Sequence, residues 1–217
     1  MQPTLTFLHT TPAHIPTFDR LLVELDGDVP VRHIVHESLL REARSRGITP
    51  RLEERVATTV QTAFDQGAVV VACTCSTIAG SVETIGRALS RPVVRIDRPM
   101  AEHAVELGNR IVVAATLRSS VDSARSLLAE VAESAGKSIE VRDVVAASAW
   151  PKFETGDHDG YVREIAATLR SLDGTADVIV LAQASMAAAA DVASLDTPVL
   201  SSPRSGIEAA LAAFRSV

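Results

Sequence analysis

Short apolar runs alternate with longer segments whose apolar residues recur every three or four positions, from one end of the chain to the other. A run of four to eight apolar residues reads as a strand, and the 3.6-residue period reads as an amphipathic helix. Strands are therefore expected near 4–9, 31–35, 68–73, 93–96, 110–115, 139–145, 177–182 and 198–200. A helix is expected across 119–136, where Val121, Ala124, Leu127, Leu128, Val131, Ala132 and Ala135 share one face. Ile207, Ala210, Leu211, Phe214 and Val217 predict another at the C-terminus. The runs Val69-Val70-Val71 and Val178-Ile179-Val180 lack polar alternation, as expected of strands covered on both faces. Strand and helix in alternation imply parallel strands joined by right-handed crossovers, an α/β architecture.

The second half of the chain repeats the first. Leu8-His9-Thr10 aligns with Ala114-Ala115-Thr116, and Val31 to Val35 with Val141 to Val145. Ala68 to Gly80 aligns with Ala176 to Ala188, and Pro92-Val93-Val94 with Pro198-Val199-Leu200. The four matches keep their order at offsets between 106 and 110 residues. Two similar four-stranded α/β halves follow, related by a pseudo-twofold. The first covers 1–97 plus the C-terminal helix, 205–217, and carries Cys75; the second covers 98–204 and carries Gln183. In such sheets ligands bind beyond the carboxyl ends of the strands, which two facing halves would bring to a shared cleft.

Composition narrows the partners. The chain has 217 residues, a formal net charge of −6 and 3% aromatics. Neither phosphate contacts nor base stacking fits that balance, so no nucleic-acid partner is expected. No run approaches the ~18 apolar residues of a membrane span, and the N-terminus has no signal-peptide pattern. Two cysteines do not make a disulfide framework in a chain of this size. A cytoplasmic protein is expected.

Both cysteines sit at one strand end, in Cys73-Thr74-Cys75-Ser76-Thr77, ahead of an apolar helix pattern that Ser76 or Thr77 can cap. The positive end of a helix dipole favours a thiolate. Cys73 ends the apolar run and reads as core; Cys75 falls past it and reads as functional. A paired-thiol metal or redox site is the third reading, weakened by the small number of ligands. The repeat places Gln183 opposite Cys75, with Ala184 and Ser185 opposite Ser76 and Thr77. Gln183 either satisfies backbone groups at a strand end or hydrogen-bonds a substrate carboxylate. Thr10 and Thr11 precede Pro12, and Thr116 and Ser119 follow the fifth strand, Ser119 forming a capping-box pattern with Asp122. Capping accounts for most of these hydroxyls. Converging helix N-termini also make an anion site, here suited to a small carboxylate because no glycine-rich phosphate loop is present. His33, His36 and Glu37 flank the second strand; His36, past its end, is the candidate for a second acid or base. Residues 147–158, with Trp150, Phe153 and Asp157-His158-Asp159, read as the longest linker and a lid.

These motifs resemble the aspartate/glutamate/hydantoin racemase superfamily. The resemblance spans nearly the whole chain and rests on several stretches. They are Thr74-Cys75-Ser76-Thr77, His33 to Leu40, Arg95 to Glu102, Ile111 to Leu117 and Val180 to Met186. It implies two pseudosymmetric flavodoxin-like domains, each with a four-stranded parallel sheet, and a cleft between them. It further implies a cofactor-independent enzyme, foremost a racemase or isomerase, acting at the carbon α to the carboxylate of a small amino or dicarboxylic acid. Cys75 would be the acid/base, and Thr10, Ser76, Thr77, Thr116, Ser119, Gln183, Ala184 and Ser185 would bind the substrate. No metal is implied, and a homo-oligomer stays open. Racemases of this family use two cysteines on opposite faces of the carbon; here Gln183 stands where the second would be. A one-thiol decarboxylase resembling arylmalonate decarboxylase, or a carboxylate-binding protein without catalysis, are the competing readings.

Overall fold

The apolar runs become two four-stranded parallel sheets in a computed structural model that describes residues 2–26 and 29–217. The chain divides into two compact units, one running to Ile96 and resuming at Pro203–Val217, the other Asp97–Ser202. The first holds strands β1 (Thr4–His9), β2 (Val31–Val35), β3 (Ala68–Cys73) and β4 (Val93–Arg95). Its helices are α1 (Ile15–Asp26), α2 (Glu37–Arg46), α3 (Pro50–Asp65) and α4 (Ser76–Leu89). The second holds β5 (Arg110–Ala115), β6 (Glu140–Val145), β7 (Val178–Leu181) and β8 (Val199–Ser201). Its helices are α5 (Arg98–Leu107), α6 (Arg118–Ser134), α7 (Trp150–Glu154), α8 (His158–Arg170) and α9 (Ala188–Ala193). Helix α10 (Ser202–Arg215) ends the chain.

The strand orders are β2-β1-β3-β4 and β6-β5-β7-β8, the same topology twice. All pairings are parallel, so the connections must cross over through helices, which cover the sheets. In the second unit the strand alternation is visible in the core. Ile111, Val113, Val178 and Val180 pack with α5 and α6, while Val112, Ala114, Ile179 and Leu181 pack with α8 and α9. In the first unit Leu8, Val71, Cys73 and Cys75 share a core with α2, α3 and α4. The opposite face carries Phe7, met edge-on by Phe18 of α1 at 5.3 Å.

A close backbone approach fastens α10 to the first unit. A Cβ on Gly206 would lie 2.6 Å from the Ile96 carbonyl oxygen, so only glycine fits there. Residues 147–158, read as a linker and lid, are largely helical. Ala149 and Phe153 belong to the core against α8, and Phe153 lies 5.1 Å from the Tyr161 ring. The short Pro-containing helix α7 broke the periodicity that would have shown this.

Candidate active site

Strand β3 ends at Cys73, whose side chain is fully buried and whose thiol donates to the Cys75 carbonyl at 3.6 Å. Two residues on, Cys75 is itself the N-cap residue of α4, with extended backbone angles and no side-chain cap. The expected caps Ser76 and Thr77 lie instead inside the first helical turn. This places the Cys75 sulfur at the mouth of the free N–H groups of α4. The Thr10 and Thr77 hydroxyls and the Thr77 N–H surround the sulfur as groups that favour the thiolate, and the Ile78 N–H, which does the same, donates to the Cys75 carbonyl at 3.2 Å. Burial pushes the thiol pKa up, and these donors pull the other way without fully compensating. At neutral pH Cys75 is therefore a thiol, surrounded by groups that stabilise the thiolate when it forms.

The register explains why Thr10 reaches Cys75. Leu8 pairs with Cys73, so one step further His9 faces Thr74 and two steps further Thr10 faces Cys75. Side chains alternate, so the Thr10–Cys75 pair lies on one face and the His9–Thr74 pair on the other.

The second unit repeats the arrangement with different chemistry. Three donors converge on Oε1 of Gln183: the N–H of Thr116 (2.6 Å), the Thr116 hydroxyl (2.9 Å) and the N–H of Leu117 (3.2 Å). Thr116 Oγ1 stands to Gln183 as Thr10 Oγ1 stands to Cys75. Three donors fix the amide orientation, because only the carbonyl oxygen can accept them. The amide N–H₂ faces away from that nest and has no hydrogen-bond partner among the described residues. Tyr161, buried in α8, completes the cluster by hydrogen bonds to Ser185 Oγ (2.8 Å) and to the Thr116 hydroxyl, and burial raises its phenol pKa. Sequence reasoning missed Tyr161. Its signal was a lone phenol on the apolar face of a helix, which must find a buried partner.

The remaining expected residues are placed as follows. Ser119 is the second residue of α6, whose N-cap is Leu117, so the capping box with Asp122 does not form. Thr11 does cap a short turn, its hydroxyl accepting from Ala13 N–H at 3.3 Å. Ala184 opens a 3-10 turn after β7 and is partly buried. His36 is exposed at the N-cap of α2 without a side-chain cap bond. Among the described residues no group of three or more His, Cys, Asp or Glu could hold a metal ion. None of the described helices is long and apolar enough to cross a membrane.

Two topologically identical parallel sheets, each with a hydroxyl-lined helix N-terminus at its carboxyl edge, define a two-domain α/β fold of the racemase type. The Asp/Glu/Hydantoin racemase family model matches residues 42–210, and the chain belongs to that family. Solved structures agree in fold. Glutamate racemase from Francisella tularensis, in complex with D-glutamate, superposes with a TM-score of 0.76 at 15% identity, covering 99% of this chain and 81% of that one. An aspartate racemase homologue from Pyrococcus horikoshii gives 0.67 at 14% identity, covering 98% and 99%. Unliganded arylmalonate decarboxylase gives 0.57 at 16%, covering 98% and 93%. No curated protein matches.

Proposed function

We propose that this protein is a cofactor-independent enzyme acting at the carbon α to the carboxylate of a small acid, with Cys75 as its acid/base. The observation that carries the reading is Cys75 at the N-cap of α4, its sulfur beside the Thr10 and Thr77 hydroxyls and the first helical N–H groups, all of which favour the thiolate. In the forward half-reaction Cys75 first gives its thiol proton to solvent, the thiolate then takes the α-proton, and the C–H electron pair moves toward the carboxylate to give an enediolate. Fixed donors stabilise charge that develops on the carboxylate oxygens. The Thr10 and Thr77 hydroxyls and the N–H groups at the start of α4 are such donors in the first unit, and the Gln183 amide of the second cannot exchange a proton with carbon at neutral pH. The thiol then returns the proton to carbon.

The same parts support a lyase as second reading, favoured by Gln183 where racemases of the family carry a second thiol. There the C–CO₂ bond breaks, CO₂ leaves, and the electron pair it leaves behind forms the enediolate. Cys75, a thiol at rest, protonates it, and solvent restores the S–H.

A panel of amino, dicarboxylic, hydroxy and arylmalonic acids in deuterated water tests both, with α-hydrogen loss followed by NMR and CO₂ release measured alongside. At least one acid should exchange or decarboxylate, and Cys75→Ala should abolish it. Cys73→Ala should retain activity and lose about 0.5–3 kcal/mol of stability through packing. Turnover surviving in a folded Cys75→Ala protein overturns the assignment; no turnover anywhere in the panel leaves a carboxylate-binding protein.

A further inference from the structure

Behind the Cys75 site, on the opposite face of the first sheet, four side chains form an unbroken hydrogen-bonded row. Asp19 Oδ1 lies 3.0 Å from His33 Nε2, His33 Nδ1 lies 2.8 Å from His9 Nε2, and His9 Nδ1 lies 2.8 Å from Thr74 Oγ1. Thr74 Oγ1 also lies 3.2 Å from the Leu8 carbonyl. His9 is fully buried, Asp19 is exposed, and the His9 and His33 rings stack at 5.1 Å beside Phe7. His14 is the further titratable ring beside His9, at 6.2 Å.

Donor counting allows two arrangements. The Asp19 carboxylate only accepts, so His33 Nε2 carries a proton in both. With neutral His33, its bare Nδ1 accepts from His9 Nε2–H, and His9 Nδ1 accepts from the Thr74 hydroxyl. With protonated His33, Nδ1–H donates to His9 Nε2. His9 must then carry its proton on Nδ1 and donate to Thr74, whose hydroxyl turns to the Leu8 carbonyl. His9 stays neutral in both, since burial and the neighbouring His33 and His14 lower its pKa to about 3.

We infer that Asp19, His33 and His9 form a positioning array for the Thr10–Cys75 pair, acting through Thr74 and reversing its hydrogen bonds when His33 takes up a proton. His9 and Thr74 are the residues immediately before Thr10 and Cys75 on adjacent strands, so the bond between them fixes the separation of the pair on the other face. The Leu8 carbonyl, which already accepts the Thr74 N–H at 3.0 Å, gains or loses a second donor with each reversal. The array lies upstream of residue 42, outside the stretch the family model matches.

The tautomers are read directly by long-range ¹H–¹⁵N correlation across pH 5 to 8 on the intact protein. The expected result is that His9 moves its proton from Nε2 to Nδ1 in step with protonation of His33. Coupling to Cys75 is read by methanethiosulfonate labelling in a Cys73→Ala background. The line of log rate against pH should be displaced by roughly two- to fivefold where the His9 tautomer changes, because reversal of the Thr74 hydrogen bond alters the Thr10–Cys75 contact it holds. In His33→Gln the displacement should vanish. A His9 ring that keeps one tautomer throughout, or a displacement that persists in His33→Gln, overturns the inference. The positioning role rests on Cys75 being the reactive group. The tautomer measurement does not, so failure of every acid in the substrate panel leaves it standing.

Discussion

At the scale of the residue, the Cys75 environment is a contest between burial and hydrogen bonding. Desolvation holds the proton on sulfur, while the Thr10 and Thr77 hydroxyls and two helix N–H groups wait for the thiolate. The balance has a measurable consequence. Thr10→Val keeps the volume and removes one donor, so the thiol pKa should rise further. A hydrogen bond to a charged group contributes about 1.5–3 kcal/mol, so thiolate-dependent labelling of Cys75 at pH 8 should slow by about tenfold or more. An unchanged rate in the folded variant would show that Thr10 does not hold the sulfur. The place of Cys75 between strand end and helix start was legible from sequence because it is the cysteine past the end of an apolar run. His9 was not, because a single polar residue closing a strand carries no signal until the sheet register sets it against Thr74 and His33.

At the scale of the element, the eight strands were legible because buried parallel strands are short apolar runs, and their ends moved by at most one residue. The helix starts were not. Cys75 and Leu117 occupy N-cap positions where serine or threonine was expected, and at the second of these the N–H groups of Thr116 and Leu117 are turned to the Gln183 oxygen rather than to a local cap. A distant partner that satisfies a helix end leaves no local sequence mark. The opposite ends of β5 and β7 show a structural version of the same device. The Asp177 carboxylate accepts from the N–H groups of Arg110 (2.8 Å) and Asn109 (3.0 Å) and from the Arg110 guanidinium. These bonds lower its pKa, the Arg110 N–H contributing most. A lowered folded-state pKa contributes stability above the ordinary carboxylate range, and that stability disappears as pH falls through the lowered value. Asp177→Asn should therefore be less stable than the wild type at pH 7 by chemical denaturation, with the difference closing in strong acid. A gap that stays constant with pH would mean that the charge contributes nothing.

At the scale of the whole molecule, the same strand order is used twice with unequal chemistry at equivalent positions. Thr10 and Thr116 are the same hydroxyl in the two halves, but one serves a thiol and the other an amide oxygen. The sequence repeat made that equivalence visible. It did not reveal that Gln183 turns its oxygen inward, since amide orientation depends on the N–H groups that meet it. A group so held moves no proton, so the proposed enzyme would work with one thiol on one face of the carbon. Gln183→Cys should then create or raise racemisation. The most direct measurement follows both events in one sample of an accepted chiral acid in deuterated water, deuterium at the α-carbon by mass spectrometry and enantiomer ratio by chiral chromatography. The wild type is expected to incorporate deuterium, or decarboxylate to a single enantiomer, faster than it racemises, and Cys75→Ala to do neither. Racemisation by the wild type as fast as deuterium enters, or exchange undiminished in Cys75→Ala, would contradict this.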